Sequence, residues 1–492
     1  MAKPQILRPH AASLAASMRD LGYSLQAAIA DLIDNSISAD ATGIRITCDL
    51  GRSDPVLVIL DNGWGMTEDE VIAAMRHGAV DPRQVRSPKD LGRFGLGLKT
   101  ASFSQCRTLT VLSAKDGQRC GARWSLDLIE IEKDWVIEVL DAGEIAAEPY
   151  ADELGRAGTL VIWQQLDRLF EDVSGDKRDA VVNEKLTSVE RHLSLVFHRF
   201  LAGDVRGRKK LSISLNGSPI KPFDPFCKTN DATQPQPVET VYVSDIPVTM
   251  QPYILPHHSR LSAAEYDFYL SRSDFISNQG AYIYRNGRLM AWGDWFRLIP
   301  KGEATKLARV QIDFPNSLDE AWTIDIKKSR ARPPHAVREG LRKIIQKITY
   351  RSREVFRGRG FRLIQETKAP LWDRYESHDG IRYEVNGDHP LIQALRDKMA
   401  SDDKRSLELL MQAVAASLPV EMIYSDYSTK PRDFTSPERS VADVLDQLKR
   451  LKEAVFGTGE WNPVAFRGIV KSTHLFDSHS DLIEQFISGE VP

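Results

Sequence analysis

Asp31-Leu32-Ile33-Asp34-Asn35-Ser36 lies in the second half of a stretch, residues 24–38, in which Leu25, Ala28, Ile29, Leu32, Ile33 and Ile37 recur at helical spacing. The pattern predicts an amphipathic helix with Ser24 placed to cap it. Asp31 and Asn35 stand four residues apart and so project from one face of that helix. A carboxylate and an amide carbonyl aligned this way are hard oxygen donors of the kind magnesium prefers. The same pair also fits an ordinary solvated face, and the motif alone does not separate the two.

Outward from this helix, Ile44–Leu50 alternates like a strand, and Val56–Leu60 is a short apolar strand ending at Asp61. Leu60-Asp61-Asn62-Gly63-Trp64-Gly65-Met66 follows. It is at least a turn, and it is also a place where Asp61 could accept a hydrogen bond from an exocyclic amine while the glycines let a flat ring approach the backbone. Thr67 with Glu70 predicts a capping box and another helix. Gly78–Gly97 is rich in Gly, Arg and Asp and is expected to be a long loop. It runs into Gly92-Arg-Phe-Gly95-Leu-Gly97-Leu98-Lys99-Thr-Ala-Ser, where glycines precede an apolar helix and expose N–H groups at its start, an anion site by type. No Gly-Lys-Ser/Thr follows at the Walker spacing, and no Rossmann strand precedes it. Strands are expected at Thr108–Ser113, Arg123–Ile131, Trp135–Leu140 and Gly158–Trp163, forming a sheet backed by helices on one face. A helix at Asn183–Leu201 leads onward.

Taken together, in this order and spacing, these motifs resemble the N box and the two glycine boxes of the GHKL (Bergerat-fold) ATPases, and Gly158-Thr159-Leu-Val-Ile resembles the fourth box. The resemblance implies an α/β (α+β) fold with helices over a mixed sheet, ATP and Mg²⁺ as cofactors, and Mg-dependent ATP hydrolysis. It assigns roles position by position. Asp31 corresponds to the general base that polarises the attacking water, and Asn35 to the Mg²⁺ ligand. Asp61 corresponds to the adenine-amine acceptor, with Gly63, Gly65 and Met66 as the ring-facing turn and Thr159 helping to hold the ring. Gly92, Gly95, Gly97 and Leu98 correspond to the phosphate cradle, with Lys99 beside it, and residues 79–94 to a lid. The base position is usually glutamate in this superfamily. Asp31 is one methylene shorter, so slow hydrolysis is expected. Asp34 competes for the role at a spacing that does not fit the motif.

The spelling around Gly92 is similar to MORC-type proteins and related bacterial ATPases. The first box lies by residue 31, which leaves no room for the phosphoacceptor helix of a histidine kinase. Three divisions are expected: an ATP-binding domain (1–205), an S5-like transducer domain (206–362), and a mostly helical region (363–492) that the resemblance does not cover. Tyr282-Ile-Tyr-Arg-Asn286-Gly287-Arg-Leu resembles a strand–turn–strand of the transducer, with Asn286-Gly287 as the turn. Asp325-Ile-Lys327-Lys328 falls where such proteins place a lysine that reaches the γ-phosphate; Lys327 and Lys328 are equal candidates.

The chain has 492 residues, a formal charge of −3 and four cysteines without a Cys-x-x-Cys pair, so neither a disulfide framework nor a structural zinc site is indicated. No apolar run spans a bilayer, and a cytoplasmic protein with no membrane partner is expected. Charge is uneven, however. Lys327–Arg362 holds 13 Lys/Arg against two Glu, a local +11, and Arg206-Gly-Arg208-Lys209-Lys210 adds a smaller patch. Such stripes attract phosphate backbones without reading sequence. The expected function is an ATP-gated clamp on DNA, homodimeric when ATP is bound, in DNA repair or defence against foreign DNA. The alternatives are a chaperone-like or scaffold switch on a protein client, or a nucleotide-binding regulator with little turnover. The C-terminal helices are candidates for docking a protein partner.

Overall fold

In the computed structural model the apolar periodicity of residues 24–38 becomes a helix, Leu25–Ser38, of which ten residues are buried. The structure describes residues 10–20, 22–76, 87, 90–92, 97–170, 178–256, 261, 269, 278–302, 305–324, 331–348, 371–377, 380–420, 422–423, 440–457, 461–473, 475–476 and 479–489. The chain divides into two compact units, Met1–Ile348 and Thr349–Pro492.

The first unit begins with α1 (Ala11–Arg19), α2 (Leu25–Ser38), β1 (Gly43–Asp49) and β2 (Val56–Asp61). Next come α3 (Glu68–Met75), α4 (Gly97–Phe103), β3 (Thr108–Lys115), β4 (Gln118–Ser125), α5 (Leu126–Glu132), β5 (Glu138–Val139), α6 (Ala142–Ala147) and β6 (Gly158–Gln164). Then follow α7 (Arg178–Val196), α8 (His198–Ala202), β7 (Ser212–Leu215) and β8 (Ser218–Pro219). The strands form one mixed eight-stranded sheet, ordered β5-β4-β3-β6-β2-β1-β7-β8. Every pairing is antiparallel except β1 with β7.

Alternate residues of β2 explain its unbroken apolar run. Leu57 and Ile59 face the main core shared with α2, α4 and α7, whereas Val56 and Val58 enter a smaller core with Leu140, Ile145, Leu154 and Leu160. The expectation of helices on one face is thus incomplete, because α6 and its surroundings cover the other. Three further expectations shift. Arg123–Ile131 is the end of a strand followed by a helix, since Ser125 caps α5 by accepting from the Leu128 N–H. Only Glu138–Val139 of the expected 135–140 strand pairs. Residues 212–219, read as the start of the second division, complete the first sheet through β1. Thr67 and Glu70 do form the capping box of α3, while Ser24 sits at the α2 N-cap position without a side-chain bond.

A second sheet of the same unit contains β9 (Gln234–Pro235), β10 (Glu239–Val243), β11 (Ile246–Ile254), β12 (Gly280–Arg285), β13 (Arg288–Asp294) and β14 (Ala308–Phe314), in the order β10-β11-β14-β12-β13 with β9 on β11. Asn286 and Gly287 both take positive φ, 50° and 84°, the pairing a two-residue hairpin turn requires. A helix over residues 335–348 buries Val337, Leu341, Ile344, Ile345 and Ile348 against this sheet. Gly340 allows the approach: a Cβ there would stand 2.3 Å from Met250 Cε.

The second unit pairs Trp372–Ser377 with Gly380–Val385 as a hairpin, and its other described regular elements are helices. Val444, Leu448, Phe466, Val470, Ile483 and Phe486 belong to its core. No described helix is long and apolar enough to cross a membrane. All four cysteines are buried and no disulfide joins them.

Candidate functional site

Asp61 ends β2 as a carboxylate only 8% exposed. Three donors hold it. Ser36 Oγ donates to Oδ2 at 2.7 Å, and the N–H groups of Gly63 and Thr159 donate to Oδ1 at 2.9 and 3.2 Å. Strand pairing brings Thr159 there, since Asp61 lies opposite it in the β2–β6 register. Burial pushes the Asp61 carboxyl above the usual range, against the pull of these three hydrogen bonds.

The turn after Asp61 is built from bare backbone. Gly65 has φ +71°, and a Cβ on it would fall 1.8 Å from the Ala114 carbonyl oxygen. A Cβ on Gly158 would fall 2.2 Å from the Asp61 carbonyl oxygen. Real side chains do not fit either position. Ser113 joins the parts: its hydroxyl accepts from the Met66 N–H at 2.9 Å, donates to the Gly158 carbonyl at 2.9 Å and lies 3.2 Å from the Thr159 hydroxyl.

Asp31 and Asn35 occupy α2 beside this turn. Asn35 is the single exposed residue of α2, so its amide projects from an otherwise covered helix. Asp31 is 4% exposed and accepts from the Tyr23 hydroxyl at 3.2 Å. A Cβ built on Gly97 would lie 3.6 Å from Asp31 Oδ2, which puts that carboxylate beside the amino end of α4. Gly92 is held by Asp90, whose Oδ1 accepts its N–H at 2.7 Å. Leu98 is half-buried near the start of α4. The structure therefore gathers Asp31, Asn35, Asp61, Gly63, Gly65, Met66, Thr159 and Gly97 around α2 and the adjoining ends of β2 and β6. Gly95, Lys327, Lys328 and all of residues 79–94 except 87 and 90–92 lie outside the described residues.

Two of the expected cations, Lys99 and Arg208, have partners within the protein. Lys99 is 2% exposed, and its Nζ donates to the carbonyls of Ala74 and Arg76 at 2.9 Å each. These carbonyls end α3, so the ammonium serves a helix terminus; burial lowers its pKa to about 8. Arg208, read as part of a basic patch, is turned inward, donating to Asp40 and to the Ile37 carbonyl at 2.9 Å each. Asp34, the rival for the base position, is fully buried and grips Arg288 Nε with both oxygens at 3.1 Å. An acid locked in that pair is poorly placed to take a proton from water. Ser36, Ser113, Tyr23 and Arg288 are the participants that sequence reasoning missed. Ser36 stood inside the quoted motif, but nothing in its spacing marked it as the partner of Asp61, 25 positions on.

Residues 23–157 match the family model described as histidine kinase-, DNA gyrase B-, and HSP90-like ATPase. The chain is 33% identical over 90 residues to the ATPase morc-1 of Caenorhabditis elegans, covering 18% of this chain and 10% of that protein. It is 37% identical over 93 residues to the ATPase MORC2B of Mus musculus, covering 18% and 9%. It is 29% identical over 111 residues to the chaperone protein HtpG of Frankia casuarinae, covering 20% and 17%. The chain thus spans under a fifth of the length of these curated relatives. The mixed sheet, its helices and these matches agree on a GHKL-type domain that resembles those of MORC ATPases.

Proposed function

We propose that this protein is an ATP-binding, slowly hydrolysing GHKL ATPase that acts as a nucleotide-dependent, dimerising clamp on DNA, in DNA repair or defence against foreign DNA. The observation that supports it best is the caged Asp61 under a wall of glycine backbone. Its carboxylate suits an exocyclic amine, Gly65 and Gly158 let the backbone of neighbouring segments close tightly around it, and Ser113 with Thr159 supplies hydroxyls beside it. Asn35 would hold Mg²⁺, and Asp31, steadied by Tyr23, would orient and deprotonate the attacking water. When bound, ATP supplies a phosphoanhydride whose cleavage can be coupled to a change of shape. Gly92, Gly95, Gly97 and Leu98 would border its phosphates, and Lys327 or Lys328 would neutralise developing charge.

Contact with DNA is supported by the helix over 335–348, whose Arg338, Arg342, Lys343 and Lys347 are all exposed. Two of the four have acidic partners, Glu339 on Arg342 and Glu239 on Lys347. A second reading, a switch acting on a protein client, is favoured by the HtpG matches. Mass in solution separates the readings, measured with and without a non-hydrolysable ATP analogue and with and without duplex DNA. The clamp requires the mass to double with the analogue and the dimer to retain DNA. A monomer at saturating analogue would sink it, and a dimer indifferent to DNA would transfer the case to the protein client.

A further inference from the structure

The second sheet reaches the candidate site through the four-residue turn Arg285-Asn286-Gly287-Arg288, with Asn316 beside it. Arg285 closes β12 and is 1% exposed. Its Nε and one terminal nitrogen each donate to Asp319 at 2.6 Å. That fork fixes the guanidinium plane and aims the remaining donors at three consecutive carbonyls: Asp90 at 3.3 Å, Leu91 at 3.0 Å and Gly92 at 3.4 Å. Asn286 adds a bond to the Asp90 carbonyl at 3.4 Å. Asn316 donates to the Ser87 carbonyl at 2.9 Å and, through its N–H, to Asn286 Oδ1 at 3.3 Å. From the opposite side, Ser38 of α2 accepts the Leu91 N–H at 3.2 Å. The 90–92 segment is thus held between α2 and the turn.

Arg288 opens β13 on the other side of the same turn. It meets Asp34, one residue before Asn35 and three after Asp31. Rotation or sliding of α2 moves Asp34 and therefore pulls on Arg288. The tip leaves no slack, because a Cβ on Gly287 would stand 3.0 Å from Val205. β12 lies between β13 and β14, so displacement of the turn is displacement of the sheet. Two buried guanidiniums are a costly way to join two lobes, since apolar residues of similar volume serve stability as well or better. What they provide that apolar packing does not is a fixed register.

We infer that the turn Arg285–Arg288 is the coupling element between the nucleotide site and the second sheet, with Arg285 and Arg288 as positioning residues that set the 90–92 segment and α2 against each other. This rests on the ATP-binding reading above. Neither arginine needs to touch the nucleotide. Each acts through the backbone or the helix it holds, and the sheet is moved through both.

The test is hydrogen exchange on the full chain, with and without the non-hydrolysable ATP analogue, alongside titration of analogue affinity and steady-state kinetics. In the wild type, binding slows exchange at least fivefold across residues 280–294. Arg285→Lys keeps a charge beside Asp319 but lacks the fork. It binds the analogue within threefold of wild type, loses the slowing at 280–294 and drops kcat at least tenfold. A merely structural role would lower stability while leaving the slowing and the balance of kcat to KM intact, and that outcome overturns the inference. If Arg285→Lys does not fold, Asn286→Gly keeps the positive φ of the turn but removes its bonds to the Asp90 carbonyl and from the Asn316 N–H without disturbing a buried charge, and it must reduce the slowing; unchanged slowing there is equally fatal. Wild-type binding with no slowing at 280–294 overturns the inference alone, whereas no binding at all overturns the ATP reading and takes the inference with it.

Discussion

Asp61 is held by three donors yet carries a carboxyl pushed upward by burial. Its folded pKa lies above its unfolded one, so the folded chain binds more protons than the unfolded chain between about 3.8 and the folded value. Stability therefore falls as pH rises through that window, and at neutral pH the buried charge is a cost. Asp61→Asn removes it. The amide oxygen can still accept from the Gly63 and Thr159 N–H groups, and the amide nitrogen can donate to the Ser36 hydroxyl, which turns to accept. The variant is expected to melt no lower than wild type at pH 7.5 while its ATP-analogue affinity falls on the order of a hundredfold, about 2.7 kcal/mol. Calorimetric titration beside a thermal melt checks both; unchanged affinity removes Asp61 from the binding site. Lys99 shows the opposite lesson at this scale. A lysine after a glycine run reads as a phosphate contact, and no local pattern announces that its ammonium also meets two carbonyls that lie 23 and 25 residues away.

Among the elements, those governed by short-range rules were legible before any coordinates. The apolar period fixed α2, the Thr67–Glu70 pair fixed the start of α3, and Asn286-Gly287 fixed the hairpin. Strand–helix alternation failed at 123–131, where an apolar run suits a strand and a helix equally until Ser125 supplies a cap. The place of β7 in the first sheet was not legible, because sequence gives no sign that it returns parallel to β1 across a gap of more than 160 residues. The site followed the same division: its glycines and carboxylates stood in recognisable boxes, whereas Ser113 and Arg288 reach it from 47 and 254 positions away. α7 carries another such long-range consequence. His192, its ring tilted against Trp292 with centroids 5.8 Å apart, is held neutral to about pH 4 by burial first and by Arg288 second, with Asp34 pulling the other way. His198 on α8, bonded to the Tyr284 hydroxyl at 2.8 Å, is depressed in the same sense by burial, Arg199 and Lys228. In the unfolded chain both titrate near 6.5. The unfolded state therefore binds more protons below that pH, and stability is lost as pH falls from about 6.5 toward 4, at up to roughly 1.4 kcal/mol per unit for each group. Urea unfolding at pH 7 and pH 4.5 should show the loss, and His192→Gln should make it shallower. Equal pH slopes in variant and wild type would mean that His192 does not titrate differently on folding.

Across the whole molecule the net charge of −3 conceals a basic surface. The helix over 335–348 is bound to the second sheet by its apolar face, so its cationic face is presented on a fixed scaffold and not on a loose tail. Part of that charge is spent locally: Glu339 pairs with Arg342, and Glu239 with Lys347. Arg338 and Lys343 are exposed and enter no described ion pair. They are the positions where reversal should weaken DNA binding with least effect on the fold, since exposed substitutions away from caps and cores usually change stability by under about 0.5 kcal/mol. Each lost phosphate contact should lower the slope of log affinity against log salt by about 0.9. The pair Arg338→Glu and Lys343→Glu is therefore expected to reduce the slope by nearly 2 and to weaken binding alike for unrelated duplex sequences, with melting temperature and analogue affinity unchanged. Fluorescence anisotropy over a salt series reads all of this. A variant with the wild-type slope would place the DNA path on another surface, and a wild-type chain without salt-dependent binding would leave this basic face to an acidic protein client.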